Sequence, residues 1–344
     1  MSAVQSDRLV DRYARVATDM RVSLTDRCSL RCAYCMPPEG LPWLPRAELL
    51  TDDEIVRLVS VGVSLGVTEV RLTGGEPLLR PGVPDLVRRL AALDPRPQLS
   101  LTTNGLLLRR DVAALRAAGL DRVNVSLDTL DPARFKAITF RDRHPDVLGG
   151  LEAARAAGLE PVKVNAVLLR GVNDDEAVSL LRWSLEEGYA LRFIEQMPLD
   201  AQHAWDRSQM ITADETLTAL AAAFTLSPVP LPGRGSAPAE TWRVVDGPGR
   251  PHWRLAPPTV GIIGSVTRPF CAACDRIRLT ADGQIRNCLF ARTESDLRTP
   301  LRNGASDAEL AACLAAAVHG KLPGHGIDDP GFLQPARPMS AIGG

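Results

Sequence analysis

The chain has 344 residues, 45% of them hydrophobic and 24% charged, which is too apolar for a disordered protein and ordinary for a globular one. Forty basic against 41 acidic residues leave a formal net charge of −1, which excludes binding to nucleic acid or anionic membrane through overall charge. No apolar run approaches the roughly 18 residues of a membrane span, and positions 1–13 lack the hydrophobic centre of a secretion signal, so the cytoplasm is the expected compartment.

Strand patterns are predicted at 20–25, 68–73, 98–103, 122–127, 162–168 and 191–195. Each is short, aliphatic or β-branched, and ends in polar residues or glycine. Helical patterns lie between them. Thr51 and Glu54 are spaced as a capping box, and Ile55, Leu58, Val59, Gly62 and Leu65 follow on one face. Asn173 to Glu176 is expected to open another helix, with Ala177, Val178, Leu181 and Leu185 facing inward. Gly66, Gly119, Gly158 and Gly188 each stand between a helical pattern and a strand, where glycine can adopt the left-handed conformation that ends a helix.

Repeated helix–glycine–strand units imply parallel strands joined by crossovers. Six strands are two short of a closed (β/α)8 barrel. The fold class expected is therefore α/β, either an open partial (β/α)6 barrel or a doubly wound sheet. Both put chemistry at the carboxyl ends of the strands. We expect this unit to occupy 1–226, followed by a Pro/Gly-rich linker at 227–239 and an extension at 240–344. The extension has strand-like stretches at 241–245, 259–263 and 276–280 and a helix near 307–318. It looks too small for a core of its own and is expected to cover the open side of the barrel.

Seven cysteines in a chain long enough to fold without disulfides suggest metal ligation. Cys28, Cys32 and Cys35 form C-x3-C-x2-C just after the first strand, with Tyr34 beside the third. Three thiolates on a polar loop, with no fourth Cys or His in the next twenty residues, suit an iron–sulfur cluster with one open iron better than a structural zinc. Cys271, Cys274 and Cys288 form a second trio, which by itself also fits a zinc ribbon short of one ligand. Cys313 falls on an apolar helix as a small hydrophobe.

Gly74-Gly75-Glu76-Pro77 follows the second strand, where glycines admit a ligand to the backbone and Glu76 can accept from an ammonium group. A plain strand-to-helix turn fits the same residues. Arg276 and Arg278, two apart on a strand, share one face and suit a polyphosphate, although a solvated basic face has the same pattern. Of the 40 basic residues only Lys136, Lys163 and Lys321 are lysines. Alternation places Lys163 opposite Val162 and Val164, on the inner face of a barrel. Neither G-x4-G-K-[ST] nor G-x-G-x-x-G occurs, so a nucleotide site would be neither Walker nor Rossmann.

The C-x3-C-x-aromatic-C loop resembles the radical S-adenosylmethionine superfamily. From about Asp19 to Gly344 the chain resembles the branch of it that begins molybdenum-cofactor biosynthesis. The carriers are both cysteine trios, the stretches at 71–77, 102–105 and 162–165, Arg276-Ile277-Arg278, and the terminal Gly343-Gly344. The resemblance implies two [4Fe–4S] clusters, on Cys28, Cys32 and Cys35 and on Cys271, Cys274 and Cys288. It implies S-adenosylmethionine held by Tyr34, Gly75, Ser126 and Met197, the last of which sequence alone allows equally as core. GTP would be held by Arg21, Arg71, Thr102, Lys163, Arg276 and Arg278, with its guanine edge on the second cluster. The implied reaction removes the 3′ hydrogen of the ribose and joins C3′ to C8, giving 3′,8-cyclo-7,8-dihydro-GTP. The diglycine end would reach into the catalytic cavity. A flavodoxin-like electron donor and a downstream cyclic pyranopterin monophosphate synthase are the implied partners, with a monomer or homodimer as the assembly.

Asp275 replaces the commoner Asn and is expected to bring a negative charge near the triphosphate. Residues 1–18 match nothing firm. Two rival readings stay open at this point, a peptide-modifying enzyme of the same superfamily and a metal-binding electron carrier.

Overall fold

The computed structural model describes residues 8–230, 235–249 and 258–343. Positions 231–234 of the expected linker and Gly344 of the terminal pair lie outside the described residues.

The six expected strands form close to their expected bounds. They are β1 (Asp19–Ser23), β2 (Glu69–Thr73), β3 (Gln98–Thr103), β4 (Arg122–Ser126), β5 (Lys163–Val167) and β6 (Ala190–Ile194). They lie side by side in chain order, all parallel. A doubly wound sheet reverses its strand order at the middle, and this one does not.

The helices between them include α1 (Asp52–Ser64), α2 (Val83–Ala91), α3 (Leu108–Ala117), α4 (Pro132–Thr139), α5 (His144–Ala156), α6 (Ala177–Glu187) and α7 (Ala213–Ala221). The capping box of α1 is made in both directions. Glu54 N donates to Thr51 Oγ1 at 3.2 Å, and Thr51 N donates to Glu54 Oε2 at 2.7 Å. Gly66, Gly119, Gly158 and Gly188 all have φ between 72° and 105°, as the helix ends require. The second expected helix start is corrected. A 3₁₀ turn spans Asp174–Glu176 before α6, because Asn173 Oδ1, the atom that would cap a helix, accepts from Leu169 N at 2.7 Å while its Nδ2 donates to the carbonyls of Asp128 and Val167.

The region after α7 does more than cover a side. It contributes β7 (Thr225–Pro228), β8 (Glu240–Asp246), β9 (Thr259–Ile263), β10 (Arg276–Leu279), β11 (Gln284–Arg286) and β12 (Ser295–Asp296). Among the described residues the twelve strands form one sheet, ordered β12-β11-β10-β1-β2-β3-β4-β5-β6-β9-β8-β7. Its two ends do not pair, so the sheet is unclosed. β10 joins β1 and β9 joins β6, both parallel, and β7, β8, β11 and β12 add antiparallel hairpins outside them. Without these additions β1 and β6 would be bare edges with unpaired backbone groups. The helices α8 (Arg298–Arg302), α9 (Asp307–His319) and α10 (Met339–Ile342) follow. Cys313 on α9 is only partly buried at the margin of the core, rather than fully inside it.

Alternation sorts the strand residues into two faces. Met20, Val22, Val70, Leu72, Leu99, Leu101, Val123, Val125, Val164, Leu191 and Phe193 are buried in the apolar core. The intervening positions carry arginine, lysine, asparagine, serine and threonine, and their side chains leave by the opposite face.

Candidate active site

That polar face borders a cavity of about 310 Å³. Every parallel strand contributes to its wall: Arg21 from β1, Arg71 from β2, Thr102 from β3, Ser126 from β4, Asn165 from β5, Arg192 from β6, Ile263 from β9, and Arg276 and Arg278 from β10. All six cysteines of the two trios line the same cavity, as do Tyr34, Gly75 and Met197.

The first trio sits on the loop after β1. Arg31 ties the loop together by donating to the carbonyls of Cys28 and Leu30, at 2.7 and 2.8 Å, and stacks over Trp43. Asn104 Nδ2 lies 3.8 Å from Cys28 Sγ. Burial pushes all three thiols up, Cys35 to about 12; a neighbouring thiol and Asp128 add to the rise at Cys32 and Cys35, and Glu76 at Cys28. Three thiols that resist ionisation when left to one another are sites that a bound cation set would convert to thiolates. Among the described residues no three His, Cys, Asp or Glu side chains converge as they would around a single metal ion. In a four-iron cluster each thiolate takes a separate iron, so the donor set fits that group.

Tyr34 points its hydroxyl to Asp128 Oδ2 at 2.7 Å, and Asp128 Oδ1 accepts from Val167 N at 2.9 Å. Burial raises the Asp128 carboxyl to about 6. Asp128 lines the cavity, and sequence reading missed it. The pairing of an aromatic in one loop with an acid in another has no local signal.

In the loop after β2, Gly75 lines the cavity, and packing fixes both it and Glu76. A Cβ on Gly75 would meet the Asp26 and Arg27 carbonyls, with the Arg27 carbonyl carbon at 2.6 Å. The glycine is therefore required by close passage of the β1 loop, whatever binds beyond. Glu76 is fully buried, accepts from Thr103 Oγ1, Asn104 N and Leu78 N, and is not on the cavity wall. Its carboxylate is spent on fixing the loop after β3 rather than on an ammonium ligand. Burial raises it to about 7.

Strand register aligns the cations. Arg278 pairs with Arg21, and Arg21 with Arg71, which puts three guanidinium groups on adjacent strands about 4.8 Å apart. Like charges opposed in this way repel. Burial, reinforced by the neighbouring arginines, drives the Arg21 guanidinium well below its ordinary value and Arg278 to about 10. Arg21 Nε is buried with no hydrogen-bond partner. Among the described residues no carboxylate is in ion-pair contact with these three arginines, and the nearby Asp19 offsets only part of their charge, so the row is a place for a polyanion. Arg192 adds to the set, lowered to about 10 by burial and by Arg71 and Arg122. It was not predicted, because one arginine in a short strand has no spacing to mark it.

Lys163 faces inward as expected but is not on the cavity wall. It lies two residues before Asn165 on β5, further from the carboxyl ends of the strands, and burial beside Arg192 and Arg122 lowers it to about 7. Asp275 does not reach the wall either. Its Oδ2 accepts from Thr18 at 2.9 Å and its Oδ1 is 3.7 Å from Arg276 Nε.

The second trio is carried by the loop before β10 and the one after β11. Cys274 is pushed up by burial, but Arg276 and Lys321 outweigh that and bring it below its ordinary value. The C-terminal end reaches the same chamber. Ser23 Oγ donates to the Ile342 carbonyl at 3.0 Å, Arg278 donates to the Gly343 carbonyl, and Ser340 lines the wall. Gly343 has φ +86°, and a Cβ there would meet Ser23 Oγ and come within 2.8 Å of Thr73 Cγ2.

The chain matches known families and proteins along most of its length. The Radical SAM superfamily model matches residues 22–184, and the Molybdenum Cofactor Synthesis C model matches 189–327. The chain is 64% identical over 337 residues to GTP 3′,8-cyclase of Streptomyces coelicolor, covering 98% of this chain and 96% of the relative. It is 59% identical to GTP 3′,8-cyclase of Mycolicibacterium smegmatis, with 98% and 92% covered, and 58% identical to GTP 3′,8-cyclase 2 of Mycobacterium tuberculosis over the same shares. Streptococcus suis SuiB bound to S-adenosylmethionine shares the fold, with a TM-score of 0.56 at 12% identity over 88% of this chain and 69% of that one.

Proposed function

The chain belongs to the GTP 3′,8-cyclase family, and we infer from that premise that it converts GTP to (8S)-3′,8-cyclo-7,8-dihydroguanosine 5′-triphosphate, the first step of molybdenum-cofactor biosynthesis. Its cofactors are S-adenosylmethionine and two [4Fe–4S] clusters. One observation carries the reading, namely that both cysteine trios and the row of buried arginines open on one cavity.

Cys28, Cys32 and Cys35 would hold the first cluster, and Cys271, Cys274 and Cys288 the second. When bound, the first cluster supplies the electron that splits S-adenosylmethionine into methionine and a 5′-deoxyadenosyl radical. Tyr34, Gly75, Ser126 and Met197 line the same cavity and are assigned to that cofactor. Arg21, Arg71, Arg276, Arg278 and Arg192 grip the triphosphate, Thr102 contributes a hydroxyl, and Lys163 backs the set from deeper in the sheet. Ser23 and Arg278 hold the tail across the chamber, which keeps water from a reactive alkyl radical.

That eight neighbouring strands all reach one cavity supports a sheet curled into a partial barrel, with 1–226 as its body and 240–344 as the extension. A flavodoxin-like reductant, a downstream cyclic pyranopterin monophosphate synthase and a cytoplasmic location belong to the same reading. Among the described residues no helix is long and apolar enough to cross a membrane.

The test is anaerobic incubation of reconstituted protein with GTP, S-adenosylmethionine and dithionite. The expected chromatogram shows 5′-deoxyadenosine and a cyclised purine nucleotide together. Cleavage of S-adenosylmethionine with GTP recovered unchanged would overturn the assignment. With Arg276→Ala, GTP binding should weaken while uncoupled cleavage persists.

A further inference from the structure

Only three lysines occur in the chain, and one of them, Lys321, is 3% exposed. It follows α9 directly and lies 47 residues from the nearest cysteine it touches. Its Nζ donates to the Cys274 carbonyl at 3.0 Å, to the Arg276 carbonyl at 2.8 Å and to Cys274 Sγ at 3.3 Å. Three donors thus meet three acceptors, which is the full capacity of an ammonium group. Two of these acceptors tie the end of the C-x2-C turn to the first residue of β10, where the arginine row begins.

A second cation braces the same loop from the other side. Arg15 Nη1 donates to the Cys271 carbonyl at 2.7 Å and the Pro323 carbonyl at 3.0 Å, and its Nη2 donates to the Leu322 carbonyl at 2.5 Å. Asp11 neutralises it at 2.5 Å, and both side chains of that pair are buried. The segment before β1 and the turn after α9 therefore close on the CxxC loop together. This gives residues 8–18, which had no sequence reading, a mechanical part.

We propose that Lys321 is a positioning residue for the second cluster. Its ammonium fixes the Cys274 sulfur and the carbonyls around it, and places one full positive charge against a ligand thiolate. Charge and hydrogen bonds at ligand sulfurs set the reduction potential of such a cluster, and groups that orient ligands typically govern retention by 10- to 100-fold. A methionine of similar length would keep the packing but offer neither donor nor charge, leaving two buried carbonyls unsatisfied. The inference rests on the reading of Cys271, Cys274 and Cys288 as cluster ligands.

The experiment uses the full chain with Cys28, Cys32 and Cys35 changed to serine, so that only the second cluster can be reconstituted. Iron release to a ferrous chelator and the midpoint potential of that cluster, followed by electron paramagnetic resonance, are measured for this parent and for Lys321→Met and Lys321→Gln. With Lys321→Met, iron release should be about 10- to 100-fold faster and the potential more negative. Lys321→Gln, which keeps a donor without the charge, should lie between the two. A role limited to folding would lower the melting temperature and leave the potential unmoved, and an unmoved potential in the variant that folds overturns the proposal. If the parent itself takes up no iron, the cluster reading of the second trio fails, and this inference falls with it.

Discussion

Arg192→Met should raise the stability of the protein without substrate and lower its affinity for GTP. The guanidinium of Arg192 is held at about 10 against an ordinary 12.5 by burial, then by Arg71 and Arg122. That difference corresponds to a cost of about 3 kcal/mol for keeping the charged form, and water in the cavity screens it toward about 1–2 kcal/mol. A cation whose value falls on folding costs stability at every pH below its folded value. The cost fades only as pH rises from about 10 toward 12.5. At pH 7.5 the whole cost is present, and methionine removes it while keeping most of the side-chain length. Without GTP, the melting temperature should rise by roughly 2–6 °C.

With GTP the order reverses, because losing one charge-assisted contact to a phosphate costs about 1.5–3 kcal/mol, or roughly 10- to 150-fold in affinity. Thermal melts of the reconstituted protein, with and without GTP under argon, read both effects, since ligand stabilisation scales with the logarithm of saturation. A variant that melts lower than the parent without GTP, or that keeps the parent's GTP-induced rise, would refute the reasoning.

Gly343→Ala should expel the tail, since its Cβ would strike Ser23 and Thr73. Cyclised product is expected to fall by about 10- to 100-fold, with the melting temperature little changed. Glu76 is raised from 4.5 to about 7 by burial, so the folded chain takes up a proton as pH falls through 7 and the unfolded chain only near 4.5. The metal-free chain should gain about 3 kcal/mol across that window from this group. Urea midpoints at pH 8 and pH 5 should show that gain missing in Glu76→Gln. Thr51→Ala removes a made capping box and should cost about 1 kcal/mol, seen as a lower urea midpoint at unchanged slope.

Sequence alone determined what local chemistry and period can encode. The six strands from β1 to β6 were legible because two-residue alternation and helix-ending glycines are short-range signals. The two cysteine trios were legible as groups because their spacing is written along the chain, and all six line one cavity. The common face of Arg276 and Arg278 followed from the pleat.

Tertiary structure decided everything that depends on which strands become neighbours. Nothing in the β10 sequence says that it lies parallel beside β1, yet that pairing brings Arg278 into register with Arg21 and makes a repelling row. Arg192 joins the row from β6, and Lys163, although on the expected face, ends up behind the wall. Glu76 had the composition of a ligand, but packing turned it into the anchor of the next loop. Lys321 reaches Cys274 only because α9 returns the chain to the loop it left. A short strand states which side chains share a face. The free energy of edge pairing and loop closure, summed over the whole chain, decides what that face will look at.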